Sequence, residues 1–126
     1  MTYLFDSYAW IEYFLGTNKG LKVRNILDAD NKILTIECNI SELYEWALRE
    51  ERDFNFILSF VESRSELIPI NLIDWINAAK IKLEMRKSKK DFGLIDSLLL
   101  TKQKEFNCKV VTGDSHFLNL KEVIMI

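Results

Sequence analysis

With 126 residues, 48% of them hydrophobic and 12% aromatic, the chain has the length for one domain with a full core and too much apolar surface to stay disordered. A formal net charge of −2 excludes a generally cationic nucleic-acid binder, so any phosphate contact must come from a local basic patch. No apolar run approaches the roughly 18 residues of a membrane span, and the start of the chain lacks the positive region of an export signal. Cys38 and Cys108 lie far apart in apolar company, without metal-type spacing. A single soluble domain over residues 1–126, cytoplasmic and away from membranes, with two reduced thiols, is the expectation.

Tyr3-Leu4-Phe5 reads as a short strand covered on both faces, because its bulky apolar residues do not alternate with polar ones. Asp6 and Ser7 follow in a strand-to-helix turn, and Ala9, Trp10, Tyr13 and Phe14 recur at helical spacing until Gly16. A second helix from about Lys19 carries Leu21, Ile26 and Leu27, and Asn31 turns the chain into a strand over 32–36. The stretch from Ile40 to Glu50 has one apolar stripe of Ile40, Leu43, Tyr44, Ala47 and Leu48, and a fourth helix runs through Phe54, Ile57, Leu58 and Val61. Residues 66–70 form a strand with the only proline near its end. A longer helix from Asn71 is expected to turn Ile73, Ile76, Ala79 and Leu83 inward, its final turns made basic by Lys80, Lys82, Arg86, Lys87, Lys89 and Lys90. Asp91-Phe92-Gly93 breaks it, a further helix runs from Leu94 to Asn107, and strands over 108–112 and 123–126 complete the chain. Strands alternating with helices define an α/β fold, a parallel sheet with helices on both faces and the carboxyl ends of its strands on one edge.

That edge gives meaning to the acids. Asp6 and Asp114 each follow a strand that reads as central, and open α/β sheets bind ligands in the crevice beyond such ends. Asp6 or Ser7 as a simple helix cap is the competing reading. Asp96 sits between Leu99 and Leu100 on the wheel of a helix that is apolar nearly all round, where a charge is costly unless it is paired or holds a metal. Nothing from Leu94 to Leu100 offers a basic partner, although the dipole at the helix start favours an acid there and leaves a structural role open. Glu42 lies off the apolar stripe, with Glu37 and Glu45 as rivals and a solvated face as the default for each. Oxygen donors gathered at one rim, without a His or Cys set, suit Mg²⁺ or Mn²⁺. Such an ion generates a hydroxide and neutralises a phosphodiester under attack, so the chemistry that follows is that of a metal-dependent nuclease.

Four stretches taken together, Asp6-Ser7 with Trp10-Ile11-Glu12, Ser41-Glu42-Leu43, Leu94-Ile95-Asp96-Ser97 and Val111-Thr112-Gly113-Asp114-Ser115-His116-Phe117, resemble the PIN domain and, within it, the VapC-type toxin ribonucleases. The resemblance spans essentially the whole chain. It implies a three-layer sandwich around a five-stranded parallel sheet, a Mg²⁺ or Mn²⁺ cofactor, endonucleolytic cleavage of RNA, homodimerisation, and a small VapB-like antitoxin as inhibitor. Carried over by position, the catalytic metal-binding acids are Asp6, Glu42, Asp96 and Asp114, with Ser7 and Thr112 as the polar residues beside them. One departure concerns the residue ahead of Phe117, an acid in many relatives and His116 here, which puts a second metal in doubt. A lone His is more often structural or solvated than catalytic, yet this one stands two residues from Asp114.

Two readings also apply to the basic run, a solvated helix face or a phosphate-binding patch in which Lys89 and Lys90 contact RNA. Trp10, Trp46 and Trp75 read as core or interface residues. The rival functions are a PIN-like RNA-binding or scaffold protein without turnover and a phosphoacceptor signalling domain. The latter requires adjacent acids after the first strand and a lysine after the last, and the chain has neither.

Overall fold

The apolar runs do become strands and the apolar stripes helices. A computed structural model describing residues 1–126 orders them as β1 (Thr2–Phe5), α1 (Ser7–Leu15), α2 (Asn18–Asp28), β2 (Lys32–Ile36), α3 (Cys38–Arg49), α4 (Phe54–Arg64), β3 (Glu66–Ile68), α5 (Leu72–Met85), α6 (Leu94–Phe106), β4 (Lys109–Thr112), a 3₁₀ turn (Ser115–Phe117) and β5 (Val123–Met125). The five strands are all parallel, in the order β3-β2-β1-β4-β5. Leu4 of β1 is in register with Leu34 on one side and Val110 on the other. The chain builds outward from β1 to β3, then returns to add β4 and β5 on the opposite flank. The strand order therefore reverses between β1 and β4, and that reversal opens a crevice at their carboxyl ends.

Unbroken hydrophobicity in β1 has the cause expected of it. Phe5 belongs to the core with Trp10, Val23, Leu43 and Ile57 from α1 to α4, whereas Leu4 belongs to the opposite core with Ala78, Phe92 and Leu98 on the α5–α6 side. Each such side chain contributes roughly 1.5–3 kcal/mol when fully buried. Trp10 is completely enclosed and donates its indole N–H to Thr35 Oγ1 at 3.0 Å, so its one polar atom is satisfied inside the core. Helices α1 and α2 cross closely at Gly20, where an added Cβ would fall 2.1 Å from the Glu12 carbonyl oxygen. Gly16 ends α1 at φ +70°, as its place after the apolar stripe suggested. No helix is long and apolar enough to cross a membrane.

Three expectations are corrected. The inward face of α5 is not Ile73, Ile76, Ala79 and Leu83; all four are exposed, and Asp74 and Ala78 are the buried positions. Asp74 turns in because Lys102 of α6 meets it, with Nζ 2.9 Å from Asp74 Oδ2 and 2.7 Å from Glu105 Oε2. Helix α5 also stops at Met85, so Arg86, Lys87, Lys89 and Lys90 lie in its cap and the turns beyond; the Arg86 side chain donates to the Phe92 carbonyl at 2.7 Å and fastens that turn. On α3 the buried set is Asn39, Leu43, Trp46 and Ala47, leaving Tyr44 and Leu48 exposed, because Trp46 packs with Leu43 and Ala47 into the core of Phe5 and Trp10.

Candidate metal centre

Asp6 closes β1 and is only 5% exposed. Its Oδ1 accepts the Ala9 N–H at 2.9 Å, capping α1, and its Oδ2 accepts the hydroxyl of Thr112, the last residue of β4. Thr112 is fully buried, and its Oγ1 also accepts the Asp114 N–H at 3.0 Å. Thr112 thus ties the two strand ends together. Asp114 caps the 3₁₀ turn, its Oδ1 accepting the His116 N–H at 2.9 Å. Asp96 stands one turn into α6, with Oδ2 2.9 Å from the Gly93 N–H and 3.0 Å from His116 Nδ1. From α3, Glu42 accepts the Ser7 hydroxyl at 3.2 Å and an N–H of Asn39, both through Oε1.

All four acids line one cleft of about 250 Å³ at the switch point, together with Ser7, Tyr8 and Asn39. In three of the four acids one carboxylate oxygen stays free. The hydrogen bonds fall on Oδ2 of Asp96, Oδ1 of Asp114 and Oε1 of Glu42, which leaves the other oxygen of each without a protein partner. The starts of α1, α6 and the 3₁₀ turn hold Asp6, Asp96 and Asp114 in place, and the Ser7 and Asn39 side chains hold Glu42. Burial pushes the Asp6 carboxyl up from 3.8 to about 7, aided by the charges of Asp114 and Glu42 and opposed by the Thr112 and Ala9 hydrogen bonds. A carboxyl so placed ionises most readily when a cation shares the cleft. Cys38, at the base of α3, offers no nucleophile, since burial and then the Glu42 charge push its thiol up to about 12.

Among the rivals of Glu42, Glu37 accepts the Ile70 N–H at 3.2 Å and Glu45 pairs with Arg49 at 3.3 Å, so neither is brought to the cleft. Lys89 donates to the Leu118 carbonyl at 2.9 Å and Lys90 is exposed; neither lines the cleft. Sequence reasoning missed Asn39 and Tyr8. The only available sign of Asn39 was its place one turn ahead of Glu42. Tyr8 covers Gly113 so closely that an added Cβ there would lie 2.2 Å from its Cε1, which explains a glycine between Thr112 and Asp114.

The PIN domain family model matches residues 3–123, and the chain belongs to that family. Solved structures similar to it include VapBC2 from Rickettsia felis bound to a DNA fragment from the promoter, at TM-score 0.72 and 16% identity, covering 100% of this chain and 98% of that one. DNA-bound VapBC from Salmonella typhimurium gives 0.69 and 17%, covering 100% and 97%, and a toxin–antitoxin complex from Klebsiella pneumoniae 0.68 and 19%, covering 97% and 95%. At these identities the likeness is one of fold. No curated protein sequence matches the chain significantly.

Proposed function

We propose that the chain is a metal-dependent endoribonuclease of the VapC type, the toxin of a toxin–antitoxin pair. The convergence of Asp6, Glu42, Asp96 and Asp114 on one cleft at the switch point carries this reading. The unpartnered oxygens of Glu42, Asp96 and Asp114, with the Asp6 carboxylate beside them, fit Mg²⁺ or Mn²⁺, which take oxygen ligands and tolerate several carboxylates. When bound, such an ion supplies an activated water and neutralises charge on the phosphodiester. The rest falls to the protein. Ala9 and Thr112 fix both oxygens of Asp6, Ser7 and Asn39 orient Glu42, and Gly93 anchors Asp96. These bonds leave little reorganisation for the moment of reaction.

The VapBC neighbours support a small VapB-like antitoxin as partner, and the exposed apolar face of α5 supports a homodimer or another covered state of that helix. Purified protein free of antitoxin should cut single-stranded RNA with Mg²⁺ or Mn²⁺ and stop with EDTA. Asp96→Asn keeps an acceptor for the Gly93 N–H and deletes the charge, so cleavage should fall to background with the circular dichroism spectrum unchanged. Full turnover in that variant would remove the assignment, and RNA binding without any cleavage by the wild type would make the chain a non-catalytic PIN-like binder.

If Lys89 and Lys90 hold RNA phosphates, changing both to Ala should weaken binding and flatten its salt dependence by about one unit for each phosphate no longer neutralised. Fluorescence anisotropy across a salt series measures the slope. An unchanged slope would leave Lys89 as a fastener of the Leu118 loop and Lys90 as a solvated side chain.

A further inference from the structure

His116 stands beside the cleft and brings a ring nitrogen to two of its acids. Its Nδ1 lies 3.0 Å from Asp96 Oδ2 and 3.6 Å from Asp114 Oδ1. One ligand atom from each of these three residues lies within 4.8 Å of the other two. Donors bound at about 2.0–2.3 Å from one ion lie at most about twice that distance apart, so the trio has nearly the spacing of a shared ligand set. The imidazole is held from behind. Phe92, fully buried, has its ring centroid 6.4 Å from that of His116, and the neighbouring Phe117 is fully buried as well, while the His116 side chain remains 36% exposed.

A separate observation points to an occupant. Asn39 is 1% exposed, lines the same cleft and gives an N–H to Glu42, yet its Oδ1 is buried with no hydrogen-bond partner. Native interiors rarely leave such an oxygen orphaned unless a water or ion completes it.

Building on the metal-dependent reading of the cleft, we propose that His116 is a ligand of the centre, with Asp96 and Asp114, and makes it a transition-metal site that takes Mn²⁺ in preference to Mg²⁺. Mg²⁺ takes a shell of oxygens and gives up its waters reluctantly, whereas imidazole suits the transition ions. A histidine in place of a further acid also withholds one negative charge, which weakens the pull on a hard cation while adding a donor that discriminates among ions.

The test uses Mn²⁺ itself on the intact, metal-free protein, with no turnover required. Electron paramagnetic resonance of free Mn²⁺ gives its Kd, competition with Mg²⁺ gives the ratio of the two, and electron spin-echo envelope modulation detects imidazole ¹⁴N bound to Mn²⁺. The wild type should show the nitrogen modulation. His116→Asp should lose it and lower the preference for Mn²⁺ over Mg²⁺ by about tenfold or more. Bound Mn²⁺ without nitrogen modulation in the wild type, or an equal preference in both proteins, would overturn the proposal and leave His116 as a clamp on Asp96. Asp96→Asn and Asp114→Asn should each weaken Mn²⁺ binding; binding unaffected by both, or none in the wild type, would sink the metal reading of the cleft as well. The two failures are therefore distinguishable.

Discussion

Asp6→Asn should raise the melting temperature of the metal-free protein at pH 8 and leave it nearly unchanged at pH 4. The folded state holds the Asp6 proton up to about 7, whereas an unperturbed carboxyl releases it near 3.8. Below the lower value both states are protonated and nothing is lost. As pH rises through that window the unfolded chain ionises first, so Asp6 withdraws stability progressively, and the loss is complete above the folded-state value. By linkage it amounts to something on the order of a few kcal/mol, a large share of a small domain's total. Asparagine keeps an oxygen for the Ala9 N–H and carries no charge to desolvate. Excess Mn²⁺ or Mg²⁺ should narrow or reverse the order, because the wild type gains RT ln(1 + [L]/Kd), about 2.7 kcal/mol at a hundredfold excess over Kd, and the variant gains less. Melts of both proteins at several pH values, in EDTA and in metal, decide it. A difference that does not vary with pH would mean that Asp6 acts as a cap and no more.

Lys102→Met should cost about 3–5 kcal/mol in urea unfolding, because it strands the buried Asp74 carboxylate. The side chains of Lys102 and Asp74 are 3% and 6% exposed. Burial by itself raises the Asp74 pKa, but the Asn71 N–H and the Lys102 ammonium outweigh it and hold the carboxyl below its usual range. For Lys102, burial acts downward, and Asp74 and Glu105 overcome it to hold the ammonium above its usual range. The pair's contribution is therefore intact at neutral pH. It is lost on the acid side as pH falls through the depressed Asp74 value, and on the alkaline side as pH rises through the raised Lys102 value. Replacing both, with Asp74→Leu added, should recover most of the stability, short of about 0.5–2 kcal/mol for the N-terminal bonds that Asp74 makes on α5. A double variant no more stable than Lys102→Met would show that packing, and not an unpaired charge, sets the cost.

The same ion pair explains why α5 was misread from sequence. Its apolar residues outnumber its polar ones on the exposed side, and no local signal tells that Lys102, on another helix, will receive Asp74. The parallel sheet was legible because β1 carries its reason in three consecutive residues, two bulky faces back to back. The acids were legible by position, since strand ends and a charge on an apolar helix are both local features. Their arrangement was not. Whether Asp6 caps α1 or serves the cleft looked like a choice, and the structure has it accept from Ala9 with one oxygen and from Thr112 with the other. His116 was weighed against its neighbour Asp114 alone, because the contact with Asp96 exists only once α6 is packed beside the 3₁₀ turn.

The bond from Thr112 to Asp6 joins residues 106 positions apart. A chain still being synthesised, or cut anywhere before β4, lacks Val111 and Ile126 of the α1–α4 core and one wall of the cleft. Contacts of such long range close late in folding. The cleft is therefore incomplete until almost the whole polypeptide is in hand, because Asp96, Thr112 and Asp114 all lie in the last third of the chain.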